Sequence, residues 1–157
     1  MVKGYFRPGA PSKYKGDPKN IIYRSGYELT FMMWCDQNDS VIEWASEEVV
    51  VPYRTRLDEA REMKIGRRIY HRYYVDFYIK IKESSGQVHK YLVEVKPYHE
   101  TVEPQNTNGK KKSTYLREWS TWTKNNDKWS AAKKFAEDRG MHFKIITEVE
   151  LYGRRPR

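Results

Sequence analysis

The stretch HKYLVEVKPYHE, residues 89–100, decides how the chain is read. Successive side chains of an extended strand point to opposite faces. Tyr91, Val93 and Val95 therefore share one side, and Leu92, Glu94 and Lys96 share the other. The first side is a core face. The second carries a carboxylate and an ammonium two residues apart, so it is either solvated or a site.

Working upstream, residues 69–82 (IYHRYYVDFYIKIK) are rich in β-branched and aromatic residues and also alternate, which predicts a strand. Val75, Phe77, Ile79 and Ile81 share a face; Tyr74, Asp76, Tyr78 and Lys80 share the other. The apolar faces of both strands point the same way only if the connection holds an odd number of residues. Ser84-Ser85-Gly86 supplies a three-residue loop, with Gly86 in the left-handed position. This register sets Asp76 directly opposite Glu94, with Lys96 diagonally beside Asp76. Opposed like charges destabilise a sheet, so the carboxylate pair calls for a cation between them, and the lysine compensates in part. Oxygen-only ligands suit a hard cation, Mg²⁺ or Mn²⁺, better than zinc. Geometry alone leaves a solvated face with a cross-strand salt bridge as an equal alternative.

Outward from this hairpin the chain reads as follows. Ser25-Gly26-Tyr27-Glu28 matches an S-x-x-E capping box and opens a helix over the apolar run Leu29–Cys35, which Asp36-Gln37-Asn38-Asp39 ends. Val41–Trp44 and Glu48–Tyr53 predict short strands, with Pro52 favouring an edge or a strand end. Residues 54–66 predict a loop or short helix, and 101–113 a polar loop. A helical stretch spans about 115–139, interrupted near Asn125-Asn126-Asp127 and stopped by Gly140. Residues 142–147 predict a last strand, parallel to 88–96 through a right-handed crossover. The fold class is α/β (α+β): a mixed sheet flanked by helices. No internal repeat is present. Residues 1–20 form a basic arm or ordered loop, 21–152 the domain and 153–157 a basic tail.

Composition sets the outer limits. A chain of 157 residues suits one domain with a core that needs no disulfides. Its one cysteine, Cys35, sits in an apolar stretch, so neither a disulfide framework nor a thiolate zinc site is available. No apolar run approaches the roughly 18 residues that span a membrane, and the basic N-terminus lacks the apolar core of a secretory signal. The formal charge is +9, from 30 basic and 21 acidic residues, with thirteen Tyr, five Trp and five Phe. Basic charge with many aromatics points to a polyanion, most simply nucleic acid. The four histidines, His71, His89, His99 and His142, show no metal-ligand spacing.

Asp76 followed by Glu94-Val95-Lys96 on the next strand resembles the PD-(D/E)XK nuclease superfamily, whose fold is restriction-endonuclease-like. Val75 stands where the motif's name has proline, a position that holds no ligand. More of the chain is similar to the head-completion nucleases of tailed myophages: YRSGYELTFMMWCDQNDSVIEWASEEVVVPY, RRIYHRYYVDFYI, YLVEVKP and KWSAAKKFAEDRGMHFKIITEVEL. These segments also resemble, more distantly, the N-terminal domain of transposon-end endonuclease subunits. The resemblance implies metal-dependent hydrolysis of DNA phosphodiesters, with Asp76, Glu94 and Glu28 as metal ligands, Mg²⁺ or Mn²⁺ as the ion, and Lys96 ordering the attacking water or stabilising charge. It implies DNA as partner, phage head, portal or neck proteins beside it, no membrane and no small-molecule cofactor. The setting would be host cytoplasm during assembly, and the virion. Glu28 has a second reading as the capping partner of Ser25, and Glu47 is a further carboxylate near a strand end.

Arg67, Arg68, Arg72, Lys110, Lys111, Lys112 and Lys128 are candidate DNA contacts, with Lys124 and the tail arginines behind them. Lys128 is best situated, because the superfamily often carries a substrate-contacting polar residue on the helix after the ExK strand. Trp119, Trp122 and Trp129 suit base stacking or core packing. Two rival readings stand beside the nuclease. One is a structural head-completion or DNA-binding protein that keeps the fold without cutting. The other is a transposition endonuclease, which would need a transposase partner and an additional C-terminal domain.

Overall fold

A computed structural model describes residues 3–153. Its elements, in chain order, are β1 (Gly4–Phe6), β2 (Ile21–Tyr23), α1 (Gly26–Gln37), β3 (Val41–Ser46), β4 (Val50–Tyr53), α2 (Glu59–Ile65), β5 (His71–Tyr74), β6 (Phe77–Lys82), β7 (Val88–Val95), α3 (Lys112–Asp138), β8 (His142–Ile146) and α4 (Glu148–Tyr152).

Alternation in 77–82 and 88–95 builds the centre of the molecule. β6 and β7 pair antiparallel from Phe77↔Val93 to Lys82↔Val88. The Glu83 N–H donates to Gln87 O (2.8 Å), leaving Ser84-Ser85-Gly86 as the loop, and Gly86 takes φ 89°. The expected register is the observed one. β3 joins the outer edge of β6 antiparallel, and β8 joins β7 parallel after the α3 crossover, giving the order β3-β6-β7-β8. The sheet is mixed, and helices cover both faces.

Each face has its own core, because neighbouring β7 residues point opposite ways. Val93 and Val95 pack with Phe77, Ile79, Trp44 and the α1 residues Phe31, Met32 and Cys35. Leu92 packs with Trp129, Ala132 and Ala136 of α3 and with Val51, Tyr53, Tyr73 and Val75 of the β4–β5 ribbon. Trp129 is therefore a core residue. Residues 4–23 are ordered: β1 pairs antiparallel with β2, and Phe6 and Tyr14 enter the α1-side core beside Trp44.

Three local expectations change. The single strand over 69–82 is two strands in two sheets, since β5 pairs with β4 and β6 with β3 and β7. The break lies at Val75-Asp76. There the Val75 N–H donates to Val49 O (3.0 Å) and Asp76 O accepts from the Glu47 N–H (3.0 Å), so backbone bonds to the β3–β4 connection replace a continued ladder. As a result Val75 joins the α3-side core, away from Phe77. Second, α3 runs unbroken through Asn125-Asn126-Asp127. Asn126 donates its side-chain amide to the carbonyl of Trp122 one turn back (2.8 Å), adding to a ladder acceptor that has a second lone pair, and Asp127 reaches out to Thr55 and Arg56, so the helix continues. Third, α4 was not anticipated. Thr147 and Glu150 form a complete capping box there.

Candidate active site

The site lies at the end of the β6–β7 hairpin, on the face toward α3. Continuing the Phe77↔Val93 pairing by one residue sets Asp76 across from Glu94. The Asp76 side chain stays next to β7, because its Oδ2 accepts from the Val95 N–H (2.9 Å). Asp76 is half-buried, and its carboxyl lies within the field of the Glu94 charge. Glu94 is 5 % exposed. One of its oxygens, Oε2, accepts from the Tyr73 hydroxyl, and the other, Oε1, lies 3.9 Å from Lys96 Nζ. The hairpin thus brings together Asp76, Glu94 and Lys96.

Burial and like charge set the electrostatics. Burial raises both carboxyls above the ordinary range, and for Asp76 the charge of Glu94 adds to it. The Tyr73 hydroxyl is pushed far up by burial and by the Glu94 charge, so it remains a donor. Lys128 comes in from α3, half-buried, with its ammonium 5.6 Å from the Tyr73 ring and 5.8 Å from the Tyr53 ring. Burial, and then Lys124, lower its pKa, while Glu94 opposes that shift.

Glu28 starts α1. Its N–H donates to Ser25 Oγ (3.1 Å), as the capping box requires. Its carboxylate does not close the box on Ser25; Oε2 accepts from the Arg24 N–H instead (2.7 Å). Burial raises this carboxyl, and Lys96 acts on it in the opposite sense. Glu28 also acts on Asp76, so the two lie in one electrostatic neighbourhood.

Glu47 continues the row. Ser46 pairs with Phe77, and the next residue donates its N–H to Asp76 O, so Glu47, Asp76 and Glu94 stand at one level of three adjoining strands. Glu47 has φ 56°, the one non-glycine positive φ among the described residues. That conformation costs about 1–2 kcal/mol for a residue with a Cβ. Its carboxylate is paired with the Arg24 guanidinium. Arg24 and Tyr73 are the contributions that sequence reading missed. Tyr73 had a trace in the sequence, since alternation gives it the face opposite Tyr74; Arg24 had none.

The remaining candidates lie in several places. Arg67 and Arg68 are exposed and, with Arg54, Glu59, Glu62 and Met63, line a shallow surface hollow beside α2. Arg72 is exposed on β5. Lys110 is engaged within the protein, with Nζ on Gln105 O (2.7 Å) and Glu118 Oε2 (2.9 Å). Lys111 and Lys112 are exposed at the start of α3. Trp119 and Trp122 are half-buried and pack edge to face at 5.2 Å. The tail arginines lie outside the described residues.

Among the described residues no group of three or more His, Cys, Asp or Glu side chains is arranged to hold a metal ion. The Asp76–Glu94 pair nonetheless fits a hard cation. Two neighbouring carboxyls, both raised by burial, offer oxygen ligands whose ionised form a bound cation would stabilise. Mg²⁺ binds proteins through one or two carboxylates and completes its shell with water and substrate phosphates.

Comparison with known proteins bears on the same strands. The family described as "TnsA-like endonuclease N terminal" matches residues 38–148, a span that holds Asp76, Glu94 and Lys96. The chain belongs to this endonuclease family. It is also 39 % identical over 151 residues to the head completion nuclease of Enterobacteria phage T4, covering 94 % of this chain and 92 % of that protein. Family membership makes the chain a nuclease with DNA as its substrate. The family match begins after α1, so Glu28 rests on the geometry and the wider similarity alone.

Proposed function

We propose that this protein is a Mg²⁺- or Mn²⁺-dependent DNA endonuclease that completes phage heads by cutting packaged or protruding DNA. The observation that carries the reading is the Asp76–Glu94 carboxyl pair, Glu94 buried and Asp76 half-buried, with Lys96 beside it. Asp76 and Glu94 would hold the ion, and Glu28 would reach it directly or through water. A bound divalent cation supplies an acidified water, a polarised phosphoryl group and compensation for the charge that builds up in the transition state. The chain's own residues do the rest. The Val95 N–H fixes the Asp76 carboxylate, and the Tyr73 hydroxyl fixes Glu94. Lys96, held against Glu94, orients the attacking water and stabilises charge on the phosphate. Lys128 lies in the electrostatic reach of Glu94 and Asp76 and would contact the DNA backbone, with Arg67, Arg68, Arg72, Lys110, Lys111 and Lys112 as outlying contacts. Head, portal or neck proteins would be its assembly partners, met in the host cytoplasm and in the virion.

Incubating the protein with linear duplex and single-stranded DNA, in Mg²⁺ or in EDTA, tests this. Cleavage that needs the metal, and that falls at least about 100-fold in Asp76→Ala and in Lys96→Ala, is the expected result. Binding without cleavage under every metal would favour the structural head-completion reading.

A further inference from the structure

Arg24 stands beside the carboxylate row, a placement that neither the family match nor the hairpin explains. Arg24 lies in the connection between β2 and α1. Its backbone N–H donates to Glu28, and its guanidinium pairs with Glu47, whose own N–H is fastened to the carbonyl of Asp76. These contacts link four residues around the opening: Glu28, Arg24, Glu47 and Asp76. The charges of Glu47, Glu28 and Asp76 all act on the Arg24 guanidinium.

An ordinary surface salt bridge does not need a left-handed glutamate to make it. A guanidinium has five N–H donors in a planar fork, and among the described residues Glu47 is its one side-chain partner. The Arg24 side chain is 48 % exposed, so donors remain turned toward solvent at the lip of the carboxylate row. A phosphate entering that row meets Glu28, Glu47, Asp76 and Glu94, and it needs cations on both flanks. Lys96 and Lys128 stand on the β7–α3 flank. Arg24 supplies a cation on the β2–α1 flank, and the fork geometry of arginine matches phosphate oxygens.

We propose that Arg24 contacts a DNA phosphate next to the scissile bond and that Glu47, through its left-handed backbone and its anchor on Asp76, is the positioning residue that aims it. This rests on the reading of the site as a DNA hydrolase. Before DNA arrives, Glu47 holds the guanidinium; the phosphate then takes over some or all of its donors.

The test separates binding from cutting. Binding of a fluorescently labelled DNA duplex to the full chain is measured by anisotropy in EDTA over a range of salt, for the wild type, Arg24→Ala, Arg24→Lys and Glu47→Gln, with thermal melts alongside. Arg24→Ala should bind about fivefold more weakly and lose about 0.9 from the slope of log affinity against log salt, the share of one phosphate. Arg24→Lys keeps the slope. Glu47→Gln removes the competing carboxylate, so it should bind as tightly as the wild type or tighter, yet in Mg²⁺ show a kcat lowered about tenfold with KM no higher. A merely structural role for Glu47 would not raise affinity while lowering kcat. Arg24→Ala with wild-type affinity and slope overturns the proposal and leaves the site reading intact. Glu47→Gln that binds as weakly as Arg24→Ala overturns the positioning role. A wild type that binds no duplex overturns the site reading and this proposal with it.

Discussion

The two faces of the central sheet carry different loads. Against α1, the core of Phe31, Met32, Cys35, Val41, Trp44, Phe77, Val93 and Val95 holds no buried carboxylate. Its Cys35 thiol and Tyr14 hydroxyl are both pushed up by burial and stay neutral. Against α3, the core of Leu92, Tyr73, Val75 and Trp129 borders Glu94 and the half-buried Lys128. The first face provides stability at little electrostatic cost. The second keeps ionisable groups out of water in a geometry the catalytic reading needs, and its stability suffers for it. Stability and activity should therefore respond oppositely to mutation on the two faces.

Three measurements sharpen or break that contrast. The largest effect is expected on the dry face. Phe31→Ala removes a ring packed 4.7 Å from Phe77 and should cost about 3–5 kcal/mol in denaturant unfolding. A loss below 1 kcal/mol would mean that the α1 face is not the stabilising one. On the wet face, Asp76→Asn keeps an oxygen to accept from the Val95 N–H while it removes one of two neighbouring carboxylates. It should abolish cleavage and raise stability by about 0.5–2 kcal/mol. A destabilised Asn variant would show that the pair is not repulsive.

The smallest effect is a pH dependence. The carboxyls of Asp76, Glu94 and Glu28 are raised in the folded protein. Their contribution to stability is therefore fully present below the unfolded carboxylate range and is lost as pH rises through their folded values. Without metal, the melting temperature should fall on going from acidic to neutral pH relative to the Asp76→Asn variant. Mg²⁺ should restore it more at neutral than at acidic pH, because the ion binds only the ionised pair. Equal restoration at both would count against the pair as the metal's seat.

The contrast also explains what was legible in the sequence. Tyr91 to Lys96 and Phe77 to Ile81 alternate, and Gly86 fits a three-residue loop. That fixed the register, and the register alone set Asp76 against Glu94. The strand break at Val75-Asp76 was not legible, because it depends on the Val49 and Glu47 backbone, which arrive from a distant connection. The continuity of α3 through Asn125-Asn126-Asp127 was hidden for the same reason at Asp127, whose partners Thr55 and Arg56 are remote in sequence. Tyr73 and Arg24 belong to the site through contacts with Glu94 and Glu47 that no local spacing encodes. Glu28 was read as both cap and site residue, and it is in fact split, with its N–H on Ser25 and its carboxylate on Arg24.

The early ribbon has a consequence for biosynthesis. Phe6 and Tyr14 leave the ribosome long before Trp44, Phe77 and Val95, the residues among which they are buried. These two side chains thus lack part of their cover until Val95 has emerged. A nascent chain stalled before β7 would expose them to chaperones and to its neighbours on the polysome.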